Sequence, residues 1–259
     1  KDLICKGDLF QANLSACCST QLVGEVNPID IFLRLRENCP SPFGGLLIGG
    51  DLAKGEAIIS TSPERFLQVT SDGIVETRPI KGTRPRKKDP GQDFLMAAEL
   101  ITSSKDRAEN IMIVDLLRND LGKVCTPGSI CVPEILNLES YSQVHHLTSS
   151  INGKLKSNKT WVDLFEACWP GGSITGAPKI RACQRIYEME KIERGAYCGS
   201  FIKVDWTGAI DSNILIRSLI LKENILTAYA GCGIVADSEA NNEAEELSWK
   251  ILPLLKSLS

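Results

Sequence analysis

The chain has 259 residues, a formal net charge of −3 and 43% hydrophobic residues, which fits one large soluble domain with a substantial core, or two small ones. The near-neutral balance gives no reason to expect nucleic acid or a membrane surface as partner, and no apolar run reaches the roughly 18 residues of a spanning helix. Ten cysteines without a Cys-x-x-Cys pair, several of them inside apolar segments, predict reduced thiols in a cytoplasmic protein with no signal peptide.

Taken in order, residues 8–17 alternate well enough for a strand. Ile29 to Arg36 has helical spacing, with Asn27 as cap and Pro28 at the first position. Phe43 to Gly50 and Ala57 to Ser62 read as strands, and Phe66 to Thr77 as a hairpin whose Asp72-Gly73 pair suits a tight primed turn. Pro79 ends that pairing. Helices are predicted over Asp93 to Leu100 and Ala108 to Leu117, short strands over Ile130 to Val132 and Gln143 to Thr148, then helices over Trp161 to Cys168 and Pro178 to Lys191. Phe201 to Val235 reads as a β-meander turning at Thr207-Gly208 and Glu223-Asn224, and a last helix, Asn242 to Leu255, stops or kinks near Pro253. Strands arriving as successive hairpins argue for α+β rather than a doubly wound sheet. The opening Lys1 leads to the expectation of a piece of a longer protein.

Several constellations could carry chemistry. Lys81 is pinned between Ile80 and Gly82, beside Arg84, Arg86, Lys87 and Lys88. Surrounding cations disfavour its protonated form and would make it a nucleophile, although such a cluster alone also reads as a solvated basic loop. Gly82 lets the backbone approach a ligand closely. Asp106 and Glu109 share one helix face, as do Glu243, Glu246 and Lys250. These are solvated ion-pair spacings unless the two helices converge, in which case the carboxylates require a hard cation such as Mg2+. Residues 171–179 nearly match a phosphate loop, but Ala177 occupies the lysine position; what remains is an anion site at a helix start, or a tight turn only. His145 and His146 lie on one strand and face opposite sides, so only one can enter a site; no zinc-ligand spacing accompanies them.

Pro79-Ile80-Lys81-Gly82-Thr83 with Arg86 resembles the Pro-Ile-x-Gly-Thr-x-x-Arg signature of the chorismate-utilising enzymes. Val114 to Asp120, Tyr141 to Leu147 and Asp237-Ser238 followed by Glu243, Glu246 and Lys250 are similar to further motifs of that family, and the resemblance covers essentially the whole chain. It implies one catalytic domain of four layers, α/β/β/α, with two large antiparallel sheets packed roughly orthogonally, lacking an N-terminal region. It implies that Glu109 and Glu246 bind Mg2+ while Asp106 and Glu243 hold its waters; Asp106 stands where some relatives carry the longer glutamate. Ser173, Ile174, Thr175 and Gly176 would line the chorismate pocket. Tyr197, Arg217, Gly231 and Gly233 would hold the enolpyruvyl carboxylate. Glu64 would be a general acid near the departing hydroxyl, with Thr83, His146 and Lys250 supporting the substrate.

Within the family, the anthranilate-forming branch places alanine after Pro-Ile, and the branch making 4-amino-4-deoxychorismate typically places lysine; here it is Lys81. Gln11 stands where isochorismate-forming relatives place a water-activating lysine, so water is not the expected nucleophile. The expectation is therefore amination of chorismate through a covalent lysine intermediate, with ammonia from a partner glutamine amidotransferase. The alternatives are anthranilate formation or a silent binding domain.

Overall fold

A computed structural model describes residues 1–24, 26–49, 56–141 and 144–258; Gly50 and Gln143, predicted strand ends, lie outside them. The first elements are α1 (Asp2–Cys5), β1 (Gln11–Gln21), α2 (Pro28–Asn38), β2 (Phe43–Ile48), β3 (Ala57–Ser62), β4 (Arg65–Val69), β5 (Ile74–Thr77) and β6 (Ile80–Pro85). Then come α3 (Pro90–Thr102), α4 (Ser104–Val124), β7 (Cys131–Ser140), β8 (Val144–Lys154), α5 (Trp161–Cys168), β9 (Gly176–Ala177) and α6 (Lys179–Met189). The chain closes with β10 (Ile202–Val204), β11 (Ile210–Asn213), β12 (Ser218–Lys222), β13 (Ile225–Ile234) and α7 (Ala240–Lys256). No helix among the described residues is long and apolar enough to cross a membrane.

The fold is α+β, with two antiparallel sheets in two compact units. Unit 1 comprises residues 1–64, 174–202 and 212–259, and unit 2 residues 65–173 and 203–211. The six-stranded sheet has the order β2-β3-β12-β13-β1-β9. Its core sets Leu35 of α2 and Leu254 of α7 against Ile59, Leu219, Leu221 and Leu226. In the seven-stranded sheet, β8 is the hub: β5 and β6 pair along one edge and β7 along the other. Leu100, Ile113, Leu121, Leu147, Ile151 and Leu164 are fully buried in unit 2, where the Phe66 ring meets Phe165 edge-on at 5.4 Å.

Local chemistry explains the helix starts. Asn27 caps α2 through the Ile29 N–H, Asp89 caps α3 through the Gln92 N–H, and Ser103 caps α4 through the Asp106 N–H. Trp161–Cys168 matches its prediction, with Asp163 accepting from the Thr160 N–H.

Four expectations change. The hairpin turn is not the primed type: the Gly73 N–H donates to Thr70, so Ser71 and Asp72 are central and only Gly73, at φ +80°, is left-handed. Positive φ at two consecutive residues occurs instead at Glu223 and Asn224, at 51° and 60°. The strands predicted to be short, β7 and β8, run for 10 and 11 residues; buried Thr148, Ser149 and Ser150 conceal β8, because their hydroxyls are satisfied internally. The meander is divided, with β10 and β11 in the seven-stranded sheet and β12 and β13 in the six-stranded one, separated by a break where Arg217 takes φ +50°. Finally, α7 continues past Pro253 to Lys256.

Candidate active site

In unit 2 the Lys81 stretch is a strand, not a loop. Register shifts between the Ile80–Thr148 and Thr83–His146 pairs, so Lys81 and Gly82 form a bulge that re-aims a side chain. Gly82 has φ +85°, and a Cβ there would lie 2.7 Å from Leu100 Cδ1 and 2.9 Å from Asp106 Cγ. Only glycine lets the strand meet the junction of α3 and α4 this closely. Lys81 Nζ donates to the Ser173 carbonyl at 3.2 Å. Thr83 Oγ1 and His146 Nδ1 share a hydrogen bond of 2.9 Å, and the Tyr141 ring meets His146 edge-on. His145 points the other way, to Ser140 and Asp93.

The arginines around Lys81 are not free cations, as the sequence suggests they would be. Arg84 pairs with Glu99 and Asp106, and Arg86 with Asp93. The neighbouring guanidiniums are therefore neutralised. Asp106 itself is engaged by Arg84 at 3.1 Å, and Glu109 has Lys105 at 4.0 Å.

The glycine-rich segment also departs from expectation. Gly172–Ile174 is a single 3-10 turn, and β9 intervenes before α6, so the glycines do not open onto a helix. The Thr175 carbonyl instead accepts from the Asn13 N–H at 2.7 Å, and Gly176 pairs with Ala12.

In unit 1, Gln11 is fully buried, and neither its Oε1 nor its Nε2 has a hydrogen-bond partner among the described residues. Glu64 is buried where β3 gives way to β4. Tyr197 is buried, stacks on Tyr229 at 5.2 Å, and has its phenol pKa raised by loss of solvent. Gly231 and Gly233 pair with Ser15 and Asn13 of β1. Arg217 is the outlier among the arginines: burial pushes its pKa down, and no carboxylate among the described residues pairs with it.

The face of α7 gathers as its spacing predicts. Lys250 Nζ lies 2.6 Å from Glu246 Oε1 and donates to the Gly231 carbonyl at 2.7 Å; Ser238 Oγ donates to Glu243 Oε1 at 2.7 Å. The donor atoms of Glu243, Glu246 and Cys232 lie within 4.8 Å of one another. Burial pushes the Cys232 thiol up to about 12. Two of the three donors are carboxylates, the oxygen ligands a hard cation such as Mg2+ takes, whereas a thiol suits softer metals.

A family model for chorismate binding enzymes matches residues 1–256. The chain belongs to this family. Among similar chorismate binding enzymes, an aminodeoxychorismate synthase component 1 from Klebsiella aerogenes is 44% identical over 252 residues, covering 97% of this chain and 54% of that relative. An anthranilate synthase component I-like protein from Synechocystis is 42% identical over 260 residues, covering 100% of this chain and 52% of that relative. The crystal structure of anthranilate synthase component I from Streptococcus pneumoniae superposes with a TM-score of 0.86 at 39% identity, over 98% of this chain and 55% of that one. The chain thus spans about half the length of the curated relatives it matches.

Sequence reasoning overlooked two residues of this chorismate binding enzyme. Cys232 joins the α7 carboxylates only through β13, and no spacing rule links them. Arg194, which hydrogen-bonds the Asn13 and Ile174 carbonyls, did leave a signal: an acidic residue four positions earlier, Glu190.

Proposed function

We propose that the protein aminates chorismate to 4-amino-4-deoxychorismate. The observation that carries the substrate class is Arg217, a desolvated guanidinium with no carboxylate of its own among the described residues. A largely desolvated cation without a counter-charge is costly, and a ligand carboxylate offers the planar partner its fork matches. The presence of lysine at position 81, on a bulge that directs its amine, supports the aminating branch over the anthranilate-forming one.

In this reading Lys81 forms a bond to C2 of the ring as the C4 hydroxyl leaves, taking a proton from Glu64 and departing as water. Ammonia then bonds to C4, and Lys81 is expelled as the free amine. One difficult displacement becomes two easier ones. Arg217 and Tyr197 hold the side-chain carboxylate, assisted by Gly231 and Gly233. Gln11, Gly82 and residues 173–176 line the substrate, while Thr83, His146 and Lys250 orient it. Glu243 and Glu246 would hold Mg2+, which when bound would neutralise the ring carboxylate. Ammonia comes from a glutamine amidotransferase partner.

The test is product analysis after incubation with chorismate, Mg2+ and an ammonium salt at mildly alkaline pH. An aminated product retaining its enolpyruvyl group is expected. Fluorescent anthranilate with released pyruvate would overturn the aminating assignment and leave the chorismate site standing.

A further inference from the structure

Arg194 lies outside every role assigned above, yet its side chain is mostly buried, with 15% of its surface exposed. Its guanidinium spends all five N–H donors. Nε donates to Glu190 Oε2 at 2.8 Å, and Nη2 to Glu190 Oε1 and the Asn13 carbonyl, both at 2.7 Å. Nη1 donates to the Ile174 carbonyl at 2.8 Å and to Cys198 Sγ at 3.5 Å. Glu190 is fixed in turn by the N–H and hydroxyl of Ser15, at 2.7 and 2.9 Å. The same guanidinium stands 6.0 Å from the centre of the Tyr197 ring.

Both carbonyls belong to chain segments that carry substrate-binding residues. Asn13 lies two residues beyond Gln11, and its N–H holds the Thr175 carbonyl at 2.7 Å. Ile174 immediately precedes Thr175. With no donor left for a ligand, Arg194 can act only through these neighbours. A lysine offers three donors from one point and cannot span two carbonyls while also making the paired contact to Glu190.

We infer that Arg194 is a positioning residue that clamps the Asn13 and Ile174 main chain so that Gln11, Thr175 and Tyr197 are set for chorismate. This rests on the chorismate reading of the site.

The experiment compares the full-length protein with Arg194→Lys and Arg194→Ala. It measures chorismate Kd by titration, chorismate KM and kcat, and the melting temperature. Arg194→Lys is expected to raise both Kd and KM by about tenfold while kcat falls less than about threefold. Millimolar guanidinium chloride should lower the Kd of Arg194→Ala and leave the wild type unchanged. If Arg194→Lys keeps its Kd and KM within about twofold of the wild type, the inference is wrong and the site reading stands. The inference fails equally if the losses of Arg194→Lys disappear on cooling far enough to offset its lower melting temperature. A wild-type protein that fails to bind chorismate would instead sink the site reading, and this inference with it.

Discussion

The strand around Lys81 and the break carrying Arg217 are two cationic regions treated in opposite ways. In the first, positive charge is dense in the sequence and discharged by the fold: Arg78 meets Glu134 and Glu139, Arg84 meets Glu99 and Asp106, and Arg86 meets Asp93. In the second, a single arginine in an apolar run has lost solvent without gaining a carboxylate among the described residues. Local charge density is therefore a poor guide to where a field remains for a ligand. Isolation combined with loss of solvent is a better one, because a charge that folding leaves uncompensated must be matched by something else.

The sharpest way to break this comparison is to remove the one cation in the first region that is assigned chemistry. Lys81→Ala should lower kcat for amination by about 10³-fold or more, since no other amine occupies the bulge. The melting temperature should barely move. An undiminished rate with unchanged product would mean that the covalent route is wrong and that Lys81 is as structural as its neighbours.

Arg217→Met tests the other side. Chorismate KM should rise by about 100-fold, whereas folding stability should increase by about 1 kcal/mol, because a desolvated charge is replaced by a chain of similar volume. The two readouts must move in opposite directions for function. A fall in stability would show that Arg217 is already compensated within the fold.

Gly82→Ala probes the contact between the strand and Asp106. With φ at +85° and a Cβ 2.7 Å from Leu100 Cδ1, the substitution should cost about 1–3 kcal/mol in denaturant unfolding and displace the start of α4. A neutral result would mean that the α3–α4 junction yields easily, and that Asp106 is not held as firmly as its ion pair with Arg84 suggests.

Much of this was legible in the sequence, for identifiable reasons. Caps and periodicity gave α2 and α5, and the i, i+3, i+7 spacing of Glu243, Glu246 and Lys250 gave the α7 face. What stayed hidden depended on partners remote in sequence. Ser149, just beyond the predicted strand end at Thr148, gives no strand signal until Asn110 is known to receive its hydroxyl. Strands β11 and β12 look like neighbours in a meander, yet they belong to different sheets. The carboxylates that neutralise the basic strand, Asp93, Glu99 and Asp106, come from two helices that follow it, and no spacing rule pairs them with Arg84 or Arg86 in advance.

The smallest effect separates paired from unpaired cations by pH. The Arg86 guanidinium, followed by the Lys87 N–H and His145, holds the Asp93 carboxyl well below the usual carboxylate range. Because its folded pKa lies below its unfolded one, Asp93 stabilises the fold fully above about pH 4, and that contribution is lost as pH falls through the depressed value. The melting temperature of Asp93→Asn should therefore lie slightly below that of the wild type at pH 7, and the gap should close under acid. Arg217→Met should show no such convergence, since a guanidinium does not titrate in this range. A gap for Asp93→Asn that stays constant down to pH 2 would mean that the pair with Arg86 contributes nothing through charge. The contrast between the two regions would then rest on Arg217 alone.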